Sequence, residues 1–199
     1  MNFKTKKVFI LTALLIIYFP LTVSSIEPKN FIQSTVDQAS KILSDESSND
    51  QKIEKLKSIA KESVDVEGIG FYTLGKYRKN LTEDEKEKYL DLFTKYFLKS
   101  FSSRLVEYTD PQISVNTQEV LNKNYTIVNS TLKGTEKRPE IKIDWRVYTK
   151  NPEKPLIRDL IIEGLSLART QKEEFSSIIN SNDGDINSLF KTLEDFVKD

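Results

Sequence analysis

The chain has 199 residues, 30 basic and 30 acidic side chains, and neither cysteine nor histidine. Those absences exclude disulfides, thiolate and imidazole chemistry and the commonest zinc ligands, so any catalysis would rest on carboxylates, Lys, Tyr or Ser. The charge balance argues against nucleic acid as a partner, because a binding face needs a basic surplus.

Lys4, Lys6 and Lys7 precede an apolar run from Val8 to Tyr18, and Val23 and Ser25 put small residues at the usual cleavage positions. This is the pattern of a secretory signal peptide over residues 1–25. The run falls short of the roughly 20 residues a spanning helix needs, and Pro20 follows it. The expected mature chain, 26–199, is exported and forms one domain. With the three leader lysines gone it carries 27 basic against 30 acidic residues. Three sequons begin at Asn80, Asn124 and Asn129, and chance explains them in a chain this rich in Asn, Ser and Thr.

Apolar residues at helical spacing predict two helices, Asn30 to Leu43 and Gln51 to Val64, joined by the polar run Ser44 to Asp50. A third short helix is expected from Val66 to Tyr77, with Phe71, Leu74 and Tyr77 on one side. The strongest helix runs from Leu81 to about Tyr108. Thr82 and Glu85 form a capping box at its start, and Glu83 and Asp84 put acidic charge in the first turn. Its stripe is Tyr89, Leu92, Phe93, Tyr96, Phe97, Phe101, Leu105 and Tyr108.

Asp110 and Pro111 end that helix, and four strand candidates follow. Ile113, Val115 and Thr117 alternate with polar residues, as do Tyr125, Ile127 and Asn129 against Val128 and Leu132. The third strand places Ile141, Ile143, Trp145 and Val147 on one face and Lys142, Asp144 and Arg146 on the other. Lys133 to Pro139 and Thr149 to Pro155 read as hairpin connections. The fourth strand, Leu156 to Leu165, enters a helix capped by Ser166, and Gly184 separates that helix from a last short one ending near Val197. The fold class is therefore α+β, one antiparallel sheet of about four strands packed with several helices.

Two blocks carry a family resemblance that spans about Phe31 to Val197. Leu74-Gly75-Lys76-Tyr77-Arg78-Lys79-Asn80-Leu81-Thr82 is similar to a Leu-Gly-Arg-Tyr-Trp-Arg-x-Ala-Thr pattern followed by an acidic, aromatic helix. Asp159-Leu160-Ile161-Ile162-Glu163-Gly164-Leu165-Ser166-Leu167 is similar to Asp-Val-x-Val-Glu-Gly-Val-Ser-Leu, and Ile143-Asp144-Trp145-Arg146-Val147 to Val-Asp-Tyr-Arg-Leu. The chain resembles the MlaC family of periplasmic phospholipid-binding proteins, also called toluene-tolerance or Tol-associated lipid-transport proteins. It departs from the pattern at Pro155-Leu156-Ile157-Arg158, where a Trp usually opens the strand, and at Arg78, where an aromatic residue is common.

The resemblance implies that the sheet is curved and that, with the helices, it encloses a deep apolar cavity that takes phospholipid acyl chains and leaves the head group in water. Its implied lining is Ile127, Ile143, Trp145, Val147, Leu160 and Ile162 on the sheet, faced by Phe71, Leu74 and Tyr77. It implies a non-catalytic lipid carrier in the periplasm of a Gram-negative bacterium, supporting outer-membrane lipid asymmetry, with phospholipid as cargo and no cofactor or metal. The implied partners are an inner-membrane ABC transporter with an MCE-domain subunit and an outer-membrane lipoprotein-porin complex. Two other readings stay open: a periplasmic adaptor with a filled core, and an enzyme using Asp144 or Asp159 as acid and base.

Overall fold

The computed structural model describes residues 25–136 and 138–198. Apart from Ser25, the expected leader lies outside the described residues. Six helices and a five-stranded antiparallel sheet follow one another as α1 (Pro28–Ser44), α2 (Asn49–Ser63), α3 (Val66–Leu74), α4 (Glu83–Leu105), β1 (Ile113–Asn122), β2 (Tyr125–Leu132), β3 (Ile141–Tyr148), β4 (Leu156–Ile162), β5 (Leu165–Ser166), α5 (Leu167–Asn180) and α6 (Ile186–Lys198). No helix among the described residues is long and apolar enough to cross a membrane.

The helix starts follow local chemistry. Ser48 and Thr82 open α2 and α4 with reciprocal capping boxes to Gln51 and Glu85, and Asp65 caps α3 by accepting the Gly68 N–H. The third helix stops at Leu74, short of the expected Tyr77. Gly75 has φ of 55°, and Gly75–Asn80 continues as a 3-10 segment.

The strand order is the order of the chain, β1-β2-β3-β4-β5, and the sheet is curved and unclosed. Register shifts between Val115 and Thr117, Val120 and Asn122, and Arg146 and Val147 supply local twist. The expected fourth strand divides at a two-residue turn, Glu163-Gly164, both at positive φ, as tight antiparallel hairpins require. Beyond it only Leu165 and Ser166 pair back onto β4.

Pairing fixes the faces. Val128 opposes Trp145, Ser130 opposes Ile143, Trp145 opposes Leu160 and Ile143 opposes Ile162, so these six share one side. Helix α1 packs over β1 and β2, with Ile32 and Val36 in the same core as Val128, Val147 and Ile157. Ile127 opposes Arg146 and points to the other side. The inward residues of β2 are Thr126, Val128 and Ser130, which corrects the expected placement of Ile127. The small hydroxyl residues read as outward by polarity, but Ser130 is satisfied inside: its hydroxyl donates to the Ile143 carbonyl and accepts the Trp145 indole N–H at 2.8 Å.

The helical half has an aromatic centre. Tyr89 stacks on Phe93 at 5.7 Å, and Phe175 of α5 meets Phe93 edge-on at 6.2 Å. Leu74, Ile179, Leu189 and Leu193 complete it. The stripe expected on α4 omits Leu98 and Ser102, both buried, and Ser102 hides its hydroxyl by donating to the Leu98 carbonyl.

Candidate functional site

The junction of β4, β5 and α5 is organised by one carboxylate. Asp159 is 4% exposed, and its oxygens accept the Ala168 N–H at 3.0 Å, the Ser166 hydroxyl at 2.6 Å and the Arg146 guanidinium at 3.3 Å. Ser166 in turn caps α5 by accepting the Arg169 N–H. Asp159 therefore ties β3, β4 and the start of α5 together. Asp144, the other acid considered for catalysis, accepts the Asn129 amide at 2.8 Å rather than pairing with Arg146. Among the described residues no group of acidic side chains is arranged to hold a metal ion.

Next to Asp159 in β4, Arg158 occupies the register shift, where the chain departs from the expected motif. It bonds Asp65 at 2.5 Å and the Tyr125 hydroxyl at 2.8 Å, and lies 3.6 Å from the centre of the Tyr148 ring. Burial works against its charge, but the bonds to Tyr125 and Asp65 outweigh burial and hold its titration above the ordinary value. With Arg146 and Asp159 it lines a cleft of about 440 Å³ that also reaches Tyr72 and Leu121. A second, more polar cleft of about 700 Å³ lies along α5, lined by Tyr72, Arg169, Lys172 and Ser176 among others. Neither is the apolar cavity that the resemblance implies.

The apolar residues proposed from sequence fall into three groups. Ile143, Trp145, Leu160 and Ile162 are half-buried cross-strand neighbours on the helix-bearing face, with fully buried Val147 beside them. Phe71, Leu74 and Tyr77 lie with the helical half: Leu74 is fully buried, Phe71 packs against the core beneath Arg78, and the Tyr77 hydroxyl donates to Asn180 of α5. Ile127 stands apart on the opposite face. Two residues of β1, Ile113 and Val115, share the helix-bearing face and pack on the core, an extension already visible in their alternation. Ser130 carried no apolar signal; a buried indole N–H needing an acceptor is the only hint of it.

The MlaC protein family model matches residues 33–195. The chain belongs to the MlaC family. A solved structure with the same fold is the phospholipid-binding protein from Ralstonia solanacearum, determined in complex with a phospholipid. It superposes with a TM-score of 0.72 at 17% identity, over 87% of this chain and 98% of that one. Of the segments that carry the MlaC likeness in sequence, residues 159–167 and 143–147 fix this junction. Arg146, Asp159 and Ser166 form the buried network, and Glu163 and Gly164 supply the positive-φ turn. Glu163 adds a side-chain bond, accepting the Lys142 N–H at 2.5 Å, so the turn is pinned to β3.

Proposed function

We propose that this protein is a periplasmic phospholipid carrier. Membership of the MlaC family over 33–195 carries the reading, and the fold shared with a protein solved with a phospholipid supports it. Acyl chains would seat against the helix-bearing face at Ile143, Trp145, Val147, Leu160 and Ile162, with Phe71, Leu74 and Tyr77 contributed from the helical side. On this register Ile127 is left out of the lining. A cleaved leader over residues 1–25 would deliver the chain to the periplasm.

The physics of the cargo sets the mechanism. Burying tails is worth about 0.8 kcal/mol per methylene, so two long chains sum to a gross figure beyond attainable affinities, and escape into water is slow. A carrier must therefore release its lipid in contact with an acceptor whose site is also apolar, where the net difference is small. The inner-membrane ABC transporter with its MCE-domain subunit and the outer-membrane lipoprotein-porin complex fit the two ends of such a route. The reading involves no covalent chemistry, and Asp159 has a structural assignment in its three donors.

Native mass spectrometry with lipid extraction, on the mature chain purified from a periplasmic fraction without detergent, tests this. The expected result is a near-stoichiometric phospholipid adduct. An apo mass that persists after incubation with donor liposomes and the partner complexes overturns it in favour of an adaptor with a filled core.

A further inference from the structure

The mature chain carries a slight acidic surplus, and many of its cations stand outside the ion pairs found among the described residues, including five in two segments that meet in the fold. Lys76, Arg78 and Lys79 in the 3-10 segment and Arg169 and Lys172 on α5 take no part in the ion pairs found among the described residues. Three of them lie over aromatic rings instead. Lys76 is 5.1 Å from the centre of the Tyr77 ring, Arg78 5.3 Å from Phe71, and Lys172 5.1 Å from Tyr72.

Two contacts set the 3-10 segment that carries three of these cations against α5, which carries the other two. The Tyr77 hydroxyl donates to Asn180, and a Cβ added at Gly75 would come within 2.8 Å of the Lys172 side chain, so the glycine lets the segment lie against α5. Tyr72, Arg169 and Lys172 then edge the 700 Å³ groove, whose other walls offer hydroxyls of Ser176, Ser177 and Ser181 and a single carboxylate, Glu173. Just ahead of Arg169 in the chain, Leu165 and Leu167 are 59% and 38% exposed, and Tyr72 is 44% exposed.

We propose that this basic and aromatic groove is a docking surface for an anionic phospholipid bilayer, with lipid phosphates seated among Arg169, Lys172 and the serine hydroxyls. A tyrosine ring with an apolar body and a wet edge suits the head-group layer, as do exposed leucines beside cations. The cations are spread over two elements and are not locked into pairs, which matches a laterally uniform charge better than the fixed pattern of a protein partner. The inference goes beyond the carrier reading by naming where the protein would touch a membrane, and it stands or falls separately.

The test is co-sedimentation of the mature protein with vesicles of phosphatidylcholine alone and with vesicles containing phosphatidylglycerol, at low and high salt. Binding is expected only to the anionic vesicles and is expected to fall as salt rises. Each cation is expected to contribute roughly fivefold in partitioning, so K79A/R169A should bind roughly twentyfold more weakly, while K142A/K150A, removing exposed lysines elsewhere, should match the parent. Equal binding to neutral vesicles, or an unchanged K79A/R169A, overturns the proposal. So does binding to soluble polyglutamate in preference to vesicles, which would reassign the groove to an acidic protein. Native mass spectrometry separates the two readings. A K79A/R169A protein that keeps its lipid adduct supports docking, and one that loses its adduct overturns it in favour of a clamp on the cargo head group. Vesicle binding by a protein that never carries lipid sinks the carrier reading alone.

Discussion

Ser166 donates its hydroxyl to the Asp159 carboxylate across 2.6 Å while the same oxygen accepts the Arg169 N–H. One side chain thus serves as the cap of α5 and as a strut to β4. Strand β4 and helix α5, separated in the chain only by the short hairpin to β5, are joined through the buried Asp159 carboxylate.

Removing the carboxylate should therefore act on the fold rather than on any reaction. In D159A the Ala168 N–H, the Ser166 hydroxyl and Arg146 all lose their acceptor. The expected cost is about 3 kcal/mol, at the lower end for a broken buried pair because Arg146 stays partly hydrated. D159N, which keeps the shape and one acceptor oxygen, should lose less. Urea denaturation of the two variants decides it, and a D159A midpoint equal to the parent's would remove the strut from the account.

Tyr89 makes stability sensitive to alkali. Its ring is fully buried on α4, and its hydroxyl shares a hydrogen bond with the Thr73 hydroxyl at 2.8 Å. Burial pushes the phenol well above its ordinary value, with the Thr73 bond acting weakly the other way. The folded chain therefore holds a proton that the unfolded chain gives up. This contribution is complete below about pH 10 and falls as pH rises past it. Y89F should remove that alkaline dependence and cost about 1 kcal/mol at neutral pH for the lost hydrogen bond. Denaturant midpoints measured across the alkaline range for parent and variant give the comparison.

Gly70 is where α3 meets α4. A Cβ there would stand 2.9 Å from a ring carbon of Phe93 and 3.2 Å from Leu90. Phe93 is held by Tyr89, Phe97 and Phe175 and has little room to yield. Gly70→Ala gains helix propensity of up to about 1 kcal/mol but overpacks a rigid contact by about 1–3 kcal/mol, so a net loss of about 1 kcal/mol is expected. A thermal melt that rises would show that the helices part to admit the methyl.

Much of this architecture was legible in the chain. The capping box at Thr82 and Glu85, the aromatic run of α4 and the alternation of Ile143, Trp145 and Val147 each follow one rule, and each forms as that rule predicts. Expectation and structure part where two rules compete. In β2 apolar character favours Ile127 for the inward face over Thr126 and Ser130, while register places Thr126, Val128 and Ser130 inside and turns Ile127 outward. The Arg158 bond to Asp65 joins residues far apart in sequence, so no local pattern could announce it. Helix α3 ends before Tyr77 because Gly75 takes a positive φ, which the spacing of Phe71, Leu74 and Tyr77 does not report.

The two faces of the sheet make opposite predictions for lipid. Ile143 and Leu160 are half-buried on the helix-bearing face, next to Ile162 and Trp145, whereas Ile127 is equally half-buried but opposes Arg146 and Glu119 on the other. On the proposed carrier reading, an aspartate at 143 or 160 would put a charge against the acyl chains, and a desolvated carboxylate beside hydrocarbon is costly enough to displace the tail or to bring in water. I143D and L160D should each come through purification without the phospholipid adduct expected on the parent in native mass spectrometry. Partial hydration of both sites should spare the fold, which a cooperative thermal melt would verify. I127D puts its charge beside Arg146 instead and should keep the adduct. Loss of lipid from I127D with retention in I143D and L160D would exchange the two faces and move the binding surface to the side away from α1.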